Sequence, residues 1–301
     1  MSQEEVVSGL ELWQWRIAAI NEGKLAEVLP IEVDWILQEV AGLDTLSLRL
    51  ESFKDRSQIP LTIPLAKLNE LWQKRLKERL PVQYITGITP WRNFSLIVSP
   101  AVLIPRPETE CLIDLAVEAV QGIPSPQSPI HWADLGTGSG AIAIGLADVF
   151  PHAIIHAVDR SPEALNIAQE NAQRLGFASR INFYQGSWFT PLQKLKGQLT
   201  GIVSNPPYIP SNIVPTLQAE VANHEPHLAL DGGNDGLDCL RLLATLAPEY
   251  LVPGGIWLVE TMAGQTEAVV ELLNDRGSYC NVQVFADLSG IDRFVLAYRS
   301  E

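Results

Sequence analysis

Apolar residues recur at helical spacing through the first quarter of the chain. Leu10, Trp13, Ile17 and Ile20 form one stripe, and Val33, Ile36, Leu37 and Val40 a second. Leu65, Leu68, Trp72 and Leu76 form a third, with Pro64 suited to a first helical turn. The pattern predicts a helical N-terminal region over 1–81, closed by Pro81. Between Val82 and Pro105 the rhythm shortens to extended runs such as Phe94-Ser95-Leu96-Ile97-Val98, with Gly87 and Pro90 as turn signals. This predicts a hairpin connector over 82–104.

From 105 to 301 the pattern is that of alternating strands and helices. A helix is expected from about Glu108 to Val120, then a Pro-, Ser- and Gly-rich surface loop over 122–129. Apolar runs at Ile130–Leu135, Ile154–Val158, Ile181–Tyr184, Gly201–Ser204 and Ile256–Glu260 read as strands. Segments at Ala141–Val149, Ser161–Leu175, Leu237–Tyr250 and Gln265–Asp275 read as helices. Ser161-Pro162 has the residues of an N-cap and a first helical position. Val282–Phe285 and Phe294–Tyr298 close the chain as a strand pair. The expected fold is α/β: a mostly parallel sheet, covered on both faces, with an antiparallel strand at its C-terminal end.

Composition and charge narrow the function classes. An apolar fraction of 47% over 301 residues supplies a core that needs no staples. The net charge is 21 − 35 = −14, which argues against a broad, sequence-independent grip on nucleic acid. Lys74, Arg75, Lys77 and Arg79 are a local exception, to be read either as a solvated face or as a contact for RNA or an acidic partner. Cys111, Cys239 and Cys280 are few, scattered and without CxxC spacing, so neither a disulfide framework nor a metal site is expected. The acidic start lacks the features of a secretory signal, and no apolar run reaches the roughly 20 residues of a membrane span. The expectation is a soluble, cytoplasmic protein.

Two segments carry chemistry. Gly136-Thr137-Gly138-Ser139-Gly140 lies between a predicted strand and a predicted helix, where glycines let the backbone turn and approach a ligand closely. Asp159 ends the next strand, where a carboxylate can accept both hydroxyls of a ribose. Together they point to an adenosine-containing cofactor. The run also fits G-x-G-x-x-A, so a nicotinamide cofactor stays open on this segment alone. The second segment, Asn205-Pro206-Pro207-Tyr208, follows the fourth strand. Asn205 is held extended by the following proline, and neither proline donates an N–H. An amide NH2 is a poor nucleophile, and methylating it requires both protons held by acceptors and the nitrogen aimed at the donor. The Asn205 side-chain oxygen and the Pro206 carbonyl can supply those acceptors, and Tyr208 can lie against the flat group. Adenine would satisfy these four residues as well as glutamine would.

The glycine run, Asp159 and Asn205–Tyr208 together resemble class I S-adenosylmethionine methyltransferases acting on NH2 groups, which have a Rossmann-like sheet. Further stretches resemble the release factor glutamine methyltransferases: Pro81-Val82-Gln83-Tyr84-Ile85-Thr86-Gly87, Ile104-Pro105-Arg106-Pro107-Glu108-Thr109-Glu110, His224-Glu225-Pro226, Ala229-Leu230-Asp231-Gly232-Gly233, Asp235-Gly236-Leu237 and Ser289-Gly290-Ile291-Asp292-Arg293-Phe294. The resemblance implies methyl transfer from S-adenosyl-L-methionine to the side-chain nitrogen of the glutamine in the Gly-Gly-Gln loop of peptide chain release factors. It implies that Gly136, Thr137, Gly138, Ser139 and Gly140 line the cofactor's methionine side and that Asp159 binds its ribose. Trp188 would border the adenine, with Ser187 departing from the acidic residue often found before it. Asn205, Pro206, Pro207 and Tyr208 would hold the glutamine amide, Asn205 also adjoining the cofactor. Residues 1–81 would recognise substrate. The rivals are a ribosomal-protein glutamine methyltransferase, an adenine-N6 nucleic-acid methyltransferase, a nicotinamide-dependent dehydrogenase and a non-catalytic adenosine-binding module. No histidine is assigned a catalytic role.

Overall fold

The computed structural model describes residues 5–121 and 130–301, so the loop expected over 122–129 lies outside the described residues. The chain divides into two compact units. One runs to Ile88 and includes residues 218–224; the other comprises 89–217 and 225–301. The expected boundaries at 81 and 104 differ from this division. The connector's hairpin falls almost wholly in the second unit, and a short excursion of the chain returns to the first.

The first unit is helical. It contains α1 (Gly9–Leu25), α2 (Pro30–Ala41), α3 (Thr45–Leu50), α4 (Leu65–Glu78) and α5 (Val82–Thr86), with a small antiparallel pair, β1 (Glu5–Val7) and β2 (Ile59–Leu61). A capping box of Ser8 and Glu11 starts α1. Its buried face is Leu12, Ala19 and Gly23, while Leu10 of the predicted stripe is 47% exposed. Small residues are buried here because neighbouring groups come close: a Cβ on Gly23 would lie 3.3 Å from the Trp72 ring. The α2 stripe is buried as predicted. Val82–Thr86, expected to be extended, is instead a helical turn that Gly87 ends in the left-handed conformation.

The Lys74–Arg79 cluster divides: Lys77 is exposed and Lys74 partly so, as on a solvated face, whereas the two arginines are engaged. Arg75 is buried and bridges Glu32 at 2.7 Å and Glu220 at 2.9 Å, and Arg79 also reaches Glu220 at 2.8 Å. Glu220 lies on α9 (Ala219–Ala222), the helical turn of the excursion.

The second unit opens with the hairpin β3 (Ile88–Trp91) and β4 (Phe94–Ile97), and then α6 (Cys111–Gln121). Its sheet contains β5 (His131–Leu135), β6 (Ile154–Asp159), β7 (Ile181–Gln185), β8 (Leu199–Ser204), β9 (Leu251–Glu260), β10 (Tyr279–Ala286) and β11 (Asp292–Arg299), in the order β10-β11-β9-β8-β5-β6-β7. Strands β5 to β9 pair in parallel, and β11 runs antiparallel to both its neighbours. The helices α7 (Ala141–Val149), α8 (Pro162–Arg174), α10 (Asp238–Tyr250) and α11 (Thr266–Arg276) complete the layers, with separate apolar clusters centred on Trp132 and Trp257. Strands β5 and β8 are neighbours, although β6 and β7 come between them in sequence. The chain order therefore reverses beside β5, the switch point at which open α/β sheets take ligands beyond their strand ends. Among the described residues no helix is long and apolar enough to cross a membrane.

Candidate active site

The C-terminal ends of β5, β6 and β8 open onto one cavity of about 530 Å³. Its wall includes Gly136, Gly138, Asp159, Trp188, Asn205 and Pro207, so four separate stretches of sequence meet there. The volume lies within the roughly 300–1,000 Å³ of small-ligand sites. Thr137, Ser139, Gly140, Pro206 and Tyr208 are not on the wall.

The glycine loop is built to a tight specification. Gly136 and Gly138 have φ of +82° and +54°, which a side chain would strain. The amides of Gly136 and Thr137 both donate to the Val158 carbonyl, tying the loop to β6. Thr137 donates its hydroxyl to Asp134 at 2.6 Å. The Ser139 carbonyl accepts from the buried Asn171 of α8, whose side chain also bonds both polar groups of the Ile97 backbone. Thr137 and Ser139 therefore brace the loop from behind.

Asp159 accepts from the Gly138 amide at 2.8 Å through one oxygen and from the Ser161 amide at 2.9 Å through the other. A carboxylate has about four acceptor sites, so two remain for a ligand. Trp188 has a left-handed backbone, φ 51°, and its ring edge lies 3.5 Å from where a Cβ on Gly136 would stand. Its indole thus lines the cavity and leans on the glycine loop at once. Asp134, which no sequence signal singled out, is fully buried. Its Oδ2 accepts from Thr137 and Ala143, but its Oδ1 has no partner among the described residues. Burial pushes its carboxyl up to about 7, against the pull of those two hydrogen bonds.

Asn205 leaves β8 one residue beyond the Ser204–Val259 pair, which brings it beside Glu260 at the end of β9. Its Nδ2 donates to the Thr109 hydroxyl at 3.1 Å. Thr109 donates in turn to Glu260 at 2.7 Å, and Tyr208 donates its phenol to the other oxygen of Glu260 at 3.1 Å. Burial raises the Glu260 carboxyl, and burial beside Glu260 pushes the Tyr208 phenol up. Among the described residues no donor lies on Asn205 Oδ1 or on the Pro206 carbonyl. The Tyr208 carbonyl is held by Gln265 at 2.9 Å, and Ile209 forms a bridge with Asp231. Arg106 meets the buried Glu225 at 2.6 Å, so two of the family-like stretches close on each other. Glu260, Gln265 and Asn171 were missed because their partners Thr109, Tyr208 and Ile97 lie far off in sequence.

A family model described as a methyltransferase domain matches residues 127–288, more than half of the chain. A protein of Synechocystis sp. (strain ATCC 27184 / PCC 6803 / Kazusa) described as a release factor glutamine methyltransferase is 48% identical over 97% of this chain and 97% of its own length. One of the same description from Thermosynechococcus vestitus (strain NIES-2133 / IAM M-273 / BP-1) is 50% identical over 95% of this chain and 96% of its own. The chain belongs to the release factor glutamine methyltransferase family. Near-complete coverage extends that membership through the helical first unit, where the sequence agrees in type but not by motif. A solved structure of the hMettl16 catalytic domain, with TM-score 0.54 and 13% identity over 81% of this chain and 85% of that one, shares the fold alone. The dehydrogenase that the glycine run left open is set aside by the methyltransferase domain. In this chain, Thr109 and Glu260 hydrogen-bond to Asn205 and Tyr208, the two ends of the Asn-Pro-Pro-Tyr segment.

Proposed function

We propose that this chain transfers a methyl group from S-adenosyl-L-methionine to the side-chain amide nitrogen of the glutamine in the Gly-Gly-Gln loop of peptide chain release factors. The observation that carries the reading is the pair of unengaged acceptors, Asn205 Oδ1 and the Pro206 carbonyl, at the end of the strand beside the glycine loop.

The residues present fit the cofactor. Asp159 keeps acceptor sites for two ribose hydroxyls. Asp134 stands behind the glycine loop rather than on the cavity wall, holding the Thr137 hydroxyl and the Ala143 amide with its Oδ1 unpartnered among the described residues. Trp188 and the uncrowded Cα atoms of Gly136 and Gly138 leave room for a flat ring and an extended chain. When bound, the cofactor supplies an electrophilic methyl on a sulfonium.

The chain's own residues do the rest by placement. Asn205 and Pro206 each take one proton of the substrate NH2, which fixes the plane of the amide and steadies the positive charge that grows on nitrogen. Tyr208, with its phenol anchored on Glu260 and its carbonyl on Gln265, is a rigid flank for that plane. The helical first unit would recognise the release factor, whose Gly-Gly-Gln loop must reach the cavity. A cytoplasmic setting follows from that substrate. Arg75 and Arg79 already pair with acidic side chains, so no sequence-specific nucleic-acid contact is assigned to them.

Labelled S-adenosyl-L-methionine offered with a release factor, a ribosomal protein or adenine-containing DNA tests this. Label should enter the release factor alone and vanish when its Gly-Gly-Gln glutamine is replaced. Label in DNA or in the ribosomal protein would overturn the assignment.

A further inference from the structure

We infer that Glu260 is a positioning residue which, through the Thr109 hydroxyl, decides which end of the Asn205 amide faces the substrate; this rests on the proposed function. The argument is one of proton counting. Asn205 can present either an oxygen or an NH2 group to the acceptor nitrogen, and only the oxygen can hold a substrate proton. The two ends have the same shape, so packing alone does not choose between them.

Thr109 makes the choice. Its hydroxyl has a single proton, and Glu260 Oε2 takes it at 2.7 Å. Toward Asn205, 3.1 Å away, Thr109 therefore offers only lone pairs. A flipped Asn205 would set oxygen against oxygen, so Nδ2 is locked inward and Oδ1 outward. The lock requires Glu260 to act purely as an acceptor. It does so twice, since Tyr208 donates to its other oxygen at 3.1 Å. The same carboxylate thus fixes both the amide and the aromatic flank.

A purely structural role explains this arrangement poorly. Glu260 is 2% exposed and Thr109 4% exposed, and among the described residues no cation forms a salt bridge with Glu260. Burying a carboxylate on two hydroxyl donors costs stability that an apolar pair of the same volume would not. The adjacent parallel strands β8 and β9 place Asn205 and Glu260 side by side, and Thr109 bridges them from the turn before α6.

The test uses full-length protein with a release factor substrate, comparing Thr109→Val, Thr109→Ser, Glu260→Gln and the double variant Thr109→Val/Glu260→Gln. Val keeps the shape of Thr and removes the hydroxyl. In Glu260→Gln the new amide can turn an NH2 toward Thr109, which would send the Thr109 proton to Asn205 and favour the flipped amide. Thr109→Val and Glu260→Gln should each lower kcat about 10- to 100-fold, the loss typical of orienting partners, with KM for S-adenosyl-L-methionine unchanged. Thr109→Ser should restore most of the turnover. The double variant should be no slower than the slower single, because both break one chain. Glu260→Gln should also melt no lower than the parent, which separates orientation from folding. An active parent whose Thr109→Val keeps its kcat, or single losses that multiply in the double variant, would overturn the inference alone. An inactive parent would overturn the proposed function as well.

Discussion

A single methyl group placed at Gly232 should slow methyl transfer by moving the substrate-holding segment. A Cβ at that position would lie 2.7 Å from the Gly236 carbonyl oxygen, 2.8 Å from the Pro207 carbonyl oxygen and 2.8 Å from the Tyr208 Cα. All three are backbone atoms, so no side chain can rotate away. Ordinary contact begins at 3.4 Å, so something must give by 3.4 − 2.8 = 0.6 Å to 3.4 − 2.7 = 0.7 Å. The Gly232 segment has little freedom to retreat: its amide donates to the Ile209 carbonyl at 2.9 Å, and the Ile209 amide to the Leu230 carbonyl at 3.0 Å. The shift therefore falls on Gly236 and on Pro207 and Tyr208, the last two next to the acceptors on Asn205 and Pro206. A misplacement of 1 Å costs about 100-fold in rate, so this one should cost roughly 20-fold in kcat. Overpacking of this kind also costs about 1–3 kcal/mol of stability. Steady-state methylation of a release factor gives kcat, calorimetry gives cofactor affinity, and a thermal melt gives the stability loss. Cofactor affinity should fall less than turnover, because Asp159 and the glycine loop belong to other strands. Unchanged kcat with an unchanged melt would refute the claim that this close approach holds the segment in place.

Three further outcomes follow from the same geometry. Asn205→Ala should lower kcat by about 10²–10³, as loss of one preorganised hydrogen-bonding group does, while calorimetry shows cofactor binding largely intact. Arg106→Ala should destabilise the fold by about 1–3 kcal/mol in chemical denaturation, because Glu225 keeps only 1% side-chain exposure and loses its cation, while Arg106 at 34% is partly screened. Burial raises the Glu225 carboxyl, so that deficit should shrink as pH falls and Glu225 takes up a proton, and Glu225→Gln in the same chain should recover part of it at neutral pH. Burial, with the His131 Nδ1 at 2.9 Å from its Nε2, lowers the His156 imidazole from 6.5 to about 4. A base depressed in the folded state stays neutral while the unfolded chain takes up a proton. Its stabilising share is whole above pH 6.5 and is lost as pH falls toward 4, up to roughly 3 kcal/mol. Melts between pH 7.5 and 4.5 should show this loss, and His156→Phe should flatten it.

Much of the second unit was readable because its signals are local. Strand-loop-helix alternation, the cap at Ser161-Pro162 and the glycine run each depend on residues near one another in sequence, and each element appears where expected. The first unit was readable only in part. Leu10 matched a stripe yet stands exposed, because close packing at Ala19 and Gly23 turns another face of α1 inward. Arg75 and Arg79 looked like surface cations because Glu220, their shared partner, is some 140 residues away in sequence. The site divides the same way. Gly136–Gly140, Asp159 and Asn205–Tyr208 carry their chemistry in residue type and order. Asp134, Thr109 and Glu260 carry theirs only in three-dimensional pairing: a missing partner on one oxygen, and a hydrogen bond between residues 151 apart in sequence. Tyr208 was expected to lie flat against the amide, and its anchoring by Glu260 and Gln265 adds what keeps it rigid.

The central claim is that the unengaged acceptors of Asn205 and Pro206 receive a glutamine side chain. Tandem mass spectrometry of a release factor treated with this protein and S-adenosyl-L-methionine tests it most directly. The account predicts one added methyl group on the side-chain nitrogen of the Gly-Gly-Gln glutamine, absent when Asn205→Ala replaces the parent. A methyl group on any other residue, or an unmodified loop under conditions where the cofactor binds, would contradict it.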